Sequence, residues 1–237
     1  MPPTPPDTPA NTQPPAPAHP ELTAMLLADG RLPVGGHTQS SGLEPALLGG
    51  LAEGEIPALV QTRLRTVVRV EAAVAVVARH HVVAGLPLQP VQDAWAARTP
   101  SEVSRAASVA VGRGQRRLTL RLWPGSAAAT SLEALRTPAR PVAVGAMAAA
   151  AGLDAVRTAR LVAYDDVQTL CAAALKLCPL DPADATAWLL DAGSAVEGVV
   201  AAVAHLTEPG GIPAPAAPLL EQWQHHHPTH SRRLFSA

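Results

Sequence analysis

Aromatic residues are scarce in this chain: they make up 3% of its 237 residues, with a single Phe and a single Tyr. The core therefore depends on small aliphatic side chains among the 48% of residues that are hydrophobic. Small side chains let helices approach closely, whereas β-sandwiches usually rely on aromatic and β-branched residues. The sequence also lacks the alternating pattern of strands and any repeat of fixed period. The composition therefore favours an all-α fold.

Net charge is also small, −1 at pH 7, and the chain holds only two cysteines. A nearly neutral protein has no overall field that draws it to nucleic acid or to an anionic membrane. Cys171 and Cys178 stand about 10 Å apart along one predicted helix, out of reach of a disulfide. There is no uncharged apolar run of about 18 residues, and the N-terminus lacks the pattern of a secretory signal. We therefore expect a cytoplasmic protein that binds neither nucleic acid nor a membrane.

Proline divides the chain into regions. Residues 1–20 hold nine of the 25 prolines, and such a segment buries too little apolar surface to offset its ordering entropy, which predicts a disordered tail. Residues 21–237 are predicted to form one all-α domain of about nine or ten helices, with a flexible C-terminal segment (about 207–237). Apolar residues at helical spacing predict a long helix over residues 56–84, and Asp-Pro opens another over residues 181–206.

Motifs of enzymes are missing from the sequence. It has no G-x-S-x-G elbow, no phosphate loop with its Lys and no G-x-G-x-x-G. Gly112 and Gly114 lack the third glycine and the preceding strand, and we interpret them as punctuation of a helix. Asp165 and Asp166 are adjacent on a predicted helix, so they point about 100° apart and form no catalytic pair; we interpret them as a solvated or interface face. We expect no catalytic residue and no enzymatic activity.

Histidine is concentrated near the C-terminus. Imidazole suits Ni, Cu and Zn, but a compact run of histidines lacks the fixed spacing and the supporting hydrogen bonds of a built metal site. A metal-binding store or carrier is therefore kept as an alternative function. Its weak candidate ligands are His225, His226, His227 and His230.

The segment from Leu32 to Glu44 differs from the rest of the chain. It reads L-P-V-G-G-H-T-Q-S-S-G-L-E, with adjacent glycines after a proline and Gly-Leu-Glu at the start of a predicted helix. Adjacent glycines permit a left-handed backbone or the close approach of another chain. On the residues alone, a tight helix–helix connection and an interaction element both fit.

This segment, called the signature segment below, resembles the N-terminal signature of the UreF family of urease accessory proteins. The match lies in its Leu-Pro-Val-Gly-Gly, Ser40 and Gly-Leu-Glu. The sequence departs from the family at His37 and Gln39, where aromatic residues are common. Further blocks resemble the family in the same order along the chain, at residues 100–118, 141–151, 173–180 and 233–236.

The resemblance implies an all-α, non-catalytic protein that dimerises, binds the accessory protein UreD (also called UreH) and recruits and regulates the GTPase UreG. Together these proteins deliver Ni²⁺ to apo-urease, so nickel is expected in transit and no cofactor is expected to be tightly bound. A Pro-, His- and Arg-rich tail is expected to become ordered only against a partner. These residues lie in the segments that resemble the family, and by this block matching we assign partner binding to Arg233, Leu234, Phe235, Gly35, Gly36, Gly42, Glu44 and Lys176.

Overall fold

The computed structural model describes residues 19–227 and 234–235, and in this part of the chain it confirms the all-α prediction. Of the predicted tail, residues 1–18 lie outside the described residues. The α-helices, joined by loops and short 3₁₀ turns, are α1 (Pro20–Leu27), α2 (Leu43–Leu48), α3 (Ile56–Arg65), α4 (Val67–Val83), α5 (Gln89–Ala97), α6 (Glu102–Leu122), α7 (Ala127–Ala134), α8 (Arg140–Ala150), α9 (Ala155–Leu177), α10 (Pro182–Asp191), α11 (Gly193–Val203) and α12 (Pro218–His226).

Helix α4 lies at the centre of the fold, packed most extensively against α8 and then against α9. From Ala72 to Ala78 every residue of α4 is Ala or Val and is buried. A helix that is apolar on all sides is covered on all sides. Gly145 of α8 marks the closest approach, because a Cβ there would lie 2.2 Å from the carbonyl oxygen of Ala75. Small side chains thus supply the close packing that the composition predicts.

Two helices that the sequence predicts as continuous are each divided. Thr66 separates α3 from α4, with a backbone outside the helical region (φ −119°, ψ −95°). Its hydroxyl donates to the carbonyl of Thr62 at 2.7 Å, a local bond that competes with the helical ladder. Ala192 separates α10 from α11, immediately before Gly193. The division lets α10 and α11 each pack on α9.

Helix α6 is continuous through Gly112 and Gly114, so both glycines lie within a helix, as the sequence predicts. A Cβ at Gly112 would lie 2.1 Å from the carbonyl oxygen of Pro138, and one at Gly114 would lie 2.5 Å from that of Val34. The missing side chains allow two backbone segments to lie directly on α6. One of these segments is the signature segment, to which Val34 belongs.

One stretch of the described residues, Pro182–Val203, is long and apolar enough to cross a membrane when judged by length and composition alone. It comprises α10 and α11, which are divided at Ala192 and pack on α9. A helix that packs on a soluble core passes the same test of length and composition.

Candidate functional site

The signature segment forms two left-handed turns around a short 3₁₀ helix. Gly35 (φ +86°) and Gly42 (φ +76°) both adopt a backbone that is unfavourable for residues with a Cβ. Gly36 has a negative φ and open space around its Cα, so the fold itself does not require glycine there. Ser41 is the one non-glycine residue of positive φ (+50°) among the described residues. Its hydroxyl donates to the Asp166 carboxylate at 3.2 Å, which holds this uncommon conformation in place.

A buried ion pair lies beneath this turn. Arg63 donates to both carboxylate oxygens of Asp166, at 2.9 and 2.5 Å, and each side chain is only 6% exposed. The adjacent Asp165 accepts from Arg140 at 2.5 Å, and Arg140 also pairs with Glu71. The interpretation of the two aspartates as a solvated or interface face was therefore wrong for Asp166, because a bidentate guanidinium satisfies its carboxylate inside the protein.

The electrostatics of these groups follow from their burial. Burial opposes the charged form of Arg63, but Asp166 outweighs it and raises the pKa of the guanidinium. The pKa of Arg140 is likewise raised, because Glu71 and Asp165 outweigh the cost of burial. Burial raises the pKa of Glu71, and Arg140 opposes that rise. The two guanidinium groups thus stay charged, and burial favours the protonated form of Glu71.

These charged groups line a cavity of about 380 Å³ between the signature segment, α6 and α9. His37 and Gln39, which stand where the family commonly has aromatic residues, line the same cavity. Gly36 also lines it, and Lys176 and Phe235 lie on its wall as well. The signature segment is therefore one wall of a cavity that contains buried charged groups, in addition to being a helix connection.

The carboxylate of Glu44 is the point at which the signature segment meets the C-terminal region. Glu44 is 4% exposed. Its Oε1 accepts from the backbone N–H of Leu234 at 2.6 Å, and its Oε2 accepts from the backbone N–H of Phe235 at 3.1 Å. Nε2 of His227 lies 2.8 Å from the same Oε2 and donates to it, since a carboxylate only accepts. We call Glu44 with these three donors the Glu44 clamp.

Side-chain contacts reinforce the clamp. Phe235 is 6% exposed, and the ammonium of Lys176 lies 5.3 Å from the centroid of its ring, within the range of a cation–π interaction. Leu234, next to it, is 70% exposed. A Cβ at Gly42 would lie 3.2 Å from Nε2 of Gln224 on α12, the helix that leads to the clamp. One residue of the C-terminal pair is thus anchored, and its neighbour faces outward.

The structure brings together Leu234, Phe235, Glu44, Gly42 and Lys176 from the residues that block matching assigns to partner binding. Gly35 and Gly36 belong to the other turn of the signature segment, and of these two Gly36 lines the cavity. Arg233 lies outside the described residues. The assignment of all eight residues to partner contacts stays a prediction.

The histidines at the end of α12 divide into two kinds. His227 is buried, and its Nε2 is engaged by Glu44. His225 and His226 are exposed, with their rings edge to face at 5.6 Å. His230 lies outside the described residues. Within the described ranges, no group of three or more His, Cys, Asp or Glu side chains is arranged to hold a metal ion.

The fold and the site define a class of small all-α proteins whose distinctive surface joins an N-terminal turn to the chain's own C-terminal residues. Comparison with known proteins adds the family. The UreF family model matches residues 52–193, more than half of the chain. The chain is 38% identical over 219 residues to the urease accessory protein UreF of Mycobacterium sp. (strain JLS), covering 91% of this chain and 98% of that relative.

Other relatives agree with this match. The urease accessory protein UreF of Mycolicibacterium vanbaalenii is 36% identical over 168 residues, 70% of this chain and 77% of the relative. That of Mycobacterium bovis (strain BCG / Pasteur 1173P2) is 31% identical over 214 residues, 89% and 96% respectively. The chain belongs to the UreF family of urease accessory proteins.

Proposed function

We propose that this chain is a non-catalytic, cytoplasmic scaffold for assembly of the nickel centre of urease. In this proposal it forms a homodimer, binds UreD (UreH), and through that complex recruits and regulates the GTPase UreG, so that Ni²⁺ reaches apo-urease. Membership of a family whose members are named urease accessory proteins supports the general role. The individual partners are the specific content of the proposal.

The observation that carries the proposal is the Glu44 clamp. It holds Phe235 in the body of the protein and leaves Leu234 exposed beside it, next to the exposed Lys176. An outward apolar side chain on an anchored backbone has little conformational freedom left to lose on binding. This favours its use as a contact point. A surface of this kind suits recognition of a protein partner better than chemistry on a small molecule.

Helix α1 supports a protein-binding role from a second region. Its Leu22, Met25 and Leu26 are 65%, 71% and 51% exposed. Three large apolar side chains on one eight-residue helix form the kind of exposed patch that marks an interaction surface.

The cavity behind the signature segment supports the expectation that nickel passes through the complex. Its wall carries five carboxylates, at Asp29, Glu71, Asp165, Asp166 and Glu221, and four cations, at Arg63, Arg98, Arg140 and Lys176. His37 on the same wall adds an imidazole, a ligand type that suits nickel. Oxygen and imidazole ligands both suit a divalent ion such as nickel, and no tight coordination is needed for an ion in transit.

The test is a pull-down from cells that co-express this chain with UreG and a tagged UreD. Leu234→Asp should reduce recovery of the complex at least about tenfold, because it places a charge in the apolar centre of the proposed contact. Leu190→Asp on α10 is the matched control, since Leu190 is 76% exposed and lies on another surface. If recovery of the complex is equally intact with Leu234→Asp and with Leu190→Asp, the assignment of the surface is wrong.

A further inference from the structure

Helix α6 carries a row of arginines on its exposed side. Arg113, Arg117 and Arg121 follow one another at intervals of four residues, which places them on one face of the helix, about 6 Å apart along its axis. All three residues are exposed. We propose that this row, called the arginine stripe below, docks an acidic helix of a partner protein.

The first argument is the missing countercharge. Among the described residues, no carboxylate forms an ion pair with an arginine of the stripe, whereas Arg31, Arg157 and Arg160 each have a carboxylate partner. The acidic residue of α6, Glu102, precedes the stripe by about 16 Å along the helix axis. The sequence outside the described residues adds a single acidic side chain, Asp7, which cannot neutralise three cations. The countercharge therefore has to come from another molecule.

The second argument is the repulsion within the stripe. Like charges four residues apart on a helix destabilise it, and the stripe contains two such pairs, Arg113 with Arg117 and Arg117 with Arg121. An opposing row of carboxylates would remove this repulsion and add charge-assisted hydrogen bonds. The arrangement is thus unfavourable in the free chain and becomes favourable when an acidic surface covers it.

The third argument is the spacing of the charges. Carboxylates at every fourth residue of a second helix are also about 6 Å apart, so the two rows can lie side by side in register. Each guanidinium can then bind a carboxylate through two parallel hydrogen bonds. Leu122 follows the stripe and is 45% exposed, which adds an apolar contact at one end. A helix with a row of Asp or Glu residues therefore fits this face.

The fourth argument is the position of the stripe beside the signature segment. Gly114 follows Arg113 directly, and the backbone of Val34 lies against it. Arg117 donates from Nη2 to the carbonyl oxygen of Pro33 at 3.5 Å. A helix that docks on the stripe therefore lies next to the signature segment as well. This step rests on the proposed function, in which the signature segment takes part in binding partners.

The features of the stripe favour a protein over a nucleic acid as its partner. Three arginines can neutralise about three phosphates, which gives weak binding to a nucleic acid, and the net charge of −1 supplies no additional attraction. Proteins that bind single strands usually stack the bases on aromatic side chains between the cations. The sequence from Arg113 to Arg121 contains no aromatic residue.

The single Lys of the chain, Lys176, allows a direct test by chemical cross-linking. A carbodiimide joins a lysine amine to a carboxylate only where the two are in contact. Arg113→Lys and Arg117→Lys each keep the cation and add one amine to the stripe. Each variant is co-expressed with UreD, UreG and the urease subunits, and the purified complex is cross-linked and analysed by mass spectrometry. We expect the new amines to join Asp or Glu residues of one partner helix.

Arg65 supplies the matched control. It is exposed and has no carboxylate partner in the described part of the chain, but it lies at the end of α3, and the break at Thr66 separates it from Arg69. Arg65→Lys should give no cross-link to the partner helix. Arg117→Glu should weaken recovery of the complex about tenfold, and Arg65→Glu should leave it within about twofold of the wild type. An intact complex with neither a cross-link from the stripe nor an effect of Arg117→Glu would overturn the proposal.

A titration of the isolated protein separates the two proposals. The probe is a labelled synthetic helical peptide with glutamates at every fourth residue, compared with a peptide of the same composition whose glutamates are spread around the helix. We expect the wild type to bind the first peptide at least about threefold more tightly than the second, and Arg117→Glu to abolish the difference. Equal binding of the two peptides would refute the role of the stripe, as would tighter binding of a labelled RNA oligonucleotide that Arg117→Glu abolishes. A wild-type chain that forms no complex with UreD and UreG would instead refute the proposed function.

Discussion

Asp166→Asn is the substitution whose effect the structure defines best. It keeps the size of the side chain and an oxygen that accepts the Ser41 hydroxyl, but it removes the charge opposite Arg63. The Arg63 guanidinium is buried, and its Nη1 has no hydrogen-bond partner within the described residues. Asp166 is the one carboxylate that forms an ion pair with Arg63 in this part of the chain. The substitution therefore leaves a buried cation without its partner.

The expected loss follows from that unpaired charge. Removing one member of a buried ion pair costs about 3–5 kcal/mol, and the oxygen that Asn retains places this variant near the lower end, at about 3 kcal/mol. The neighbouring substitution Asp165→Asn is the matched control. The Asp165 side chain is 30% exposed, and Arg140 would keep its pair with Glu71. We expect that control to cost about 1 kcal/mol or less.

The assay is equilibrium unfolding in urea at pH 7, followed by tryptophan fluorescence, with the slope of the transition checked for constancy. The double variant Arg63→Met/Asp166→Leu should recover most of the loss, because an apolar pair leaves no unpaired charge. Equal losses for Asp166→Asn and Asp165→Asn would refute the distinction between a buried and a partly exposed pair. A double variant less stable than Asp166→Asn would refute the explanation by unpaired charge.

Three further predictions concern packing, thiol reactivity and metal binding. Gly114→Ala should destabilise the protein by about 1–3 kcal/mol in the same urea assay by displacing the signature segment, whereas Gly198→Ala in open space should be neutral or stabilising. Burial raises the pKa of Cys171 to about 11, so its thiolate fraction at pH 8 is about a hundredfold below that of an ordinary thiol. Alkylation of the native protein, followed by mass spectrometry, should therefore show slow labelling of Cys171 that becomes fast in urea. Calorimetry with Ni²⁺ should give similar weak binding for the wild type and for a His225→Ala/His226→Ala variant, and tight binding lost in the variant would instead support a metal store.

Local sequence features predicted much of the fold. Asp181 caps the helix that it was expected to begin, accepting the backbone N–H of Ala183, and Asp154 caps α9 by accepting the backbone N–H of Arg157. Capping depends on neighbours within three residues, which the sequence displays. The break at Thr66 was not predicted, because threonine is ordinary inside a helix and only the packing of α3 and α4 decides its backbone.

The site was predicted only where a residue matched a family block. Glu44 and Phe235 were named in that way, but their contact joins positions 191 residues apart, which no local pattern encodes. His227 was read as one of a run of histidines, although it differs from its neighbours in being buried on Glu44. Asp166 was read as solvated because its partner, Arg63, is 103 residues away. Long-range pairing decides whether a polar residue is buried, and a single sequence does not show it.

The proposed function requires this chain for loading urease with nickel, through its proposed partner-binding surface. The most direct measurement is the nickel content of urease purified from cells that express the urease subunits, UreD and UreG with wild-type chain, with Leu234→Asp, or without the chain. We expect full loading with the wild type and low loading in the other two. Equal nickel content in all three preparations would contradict the proposed function.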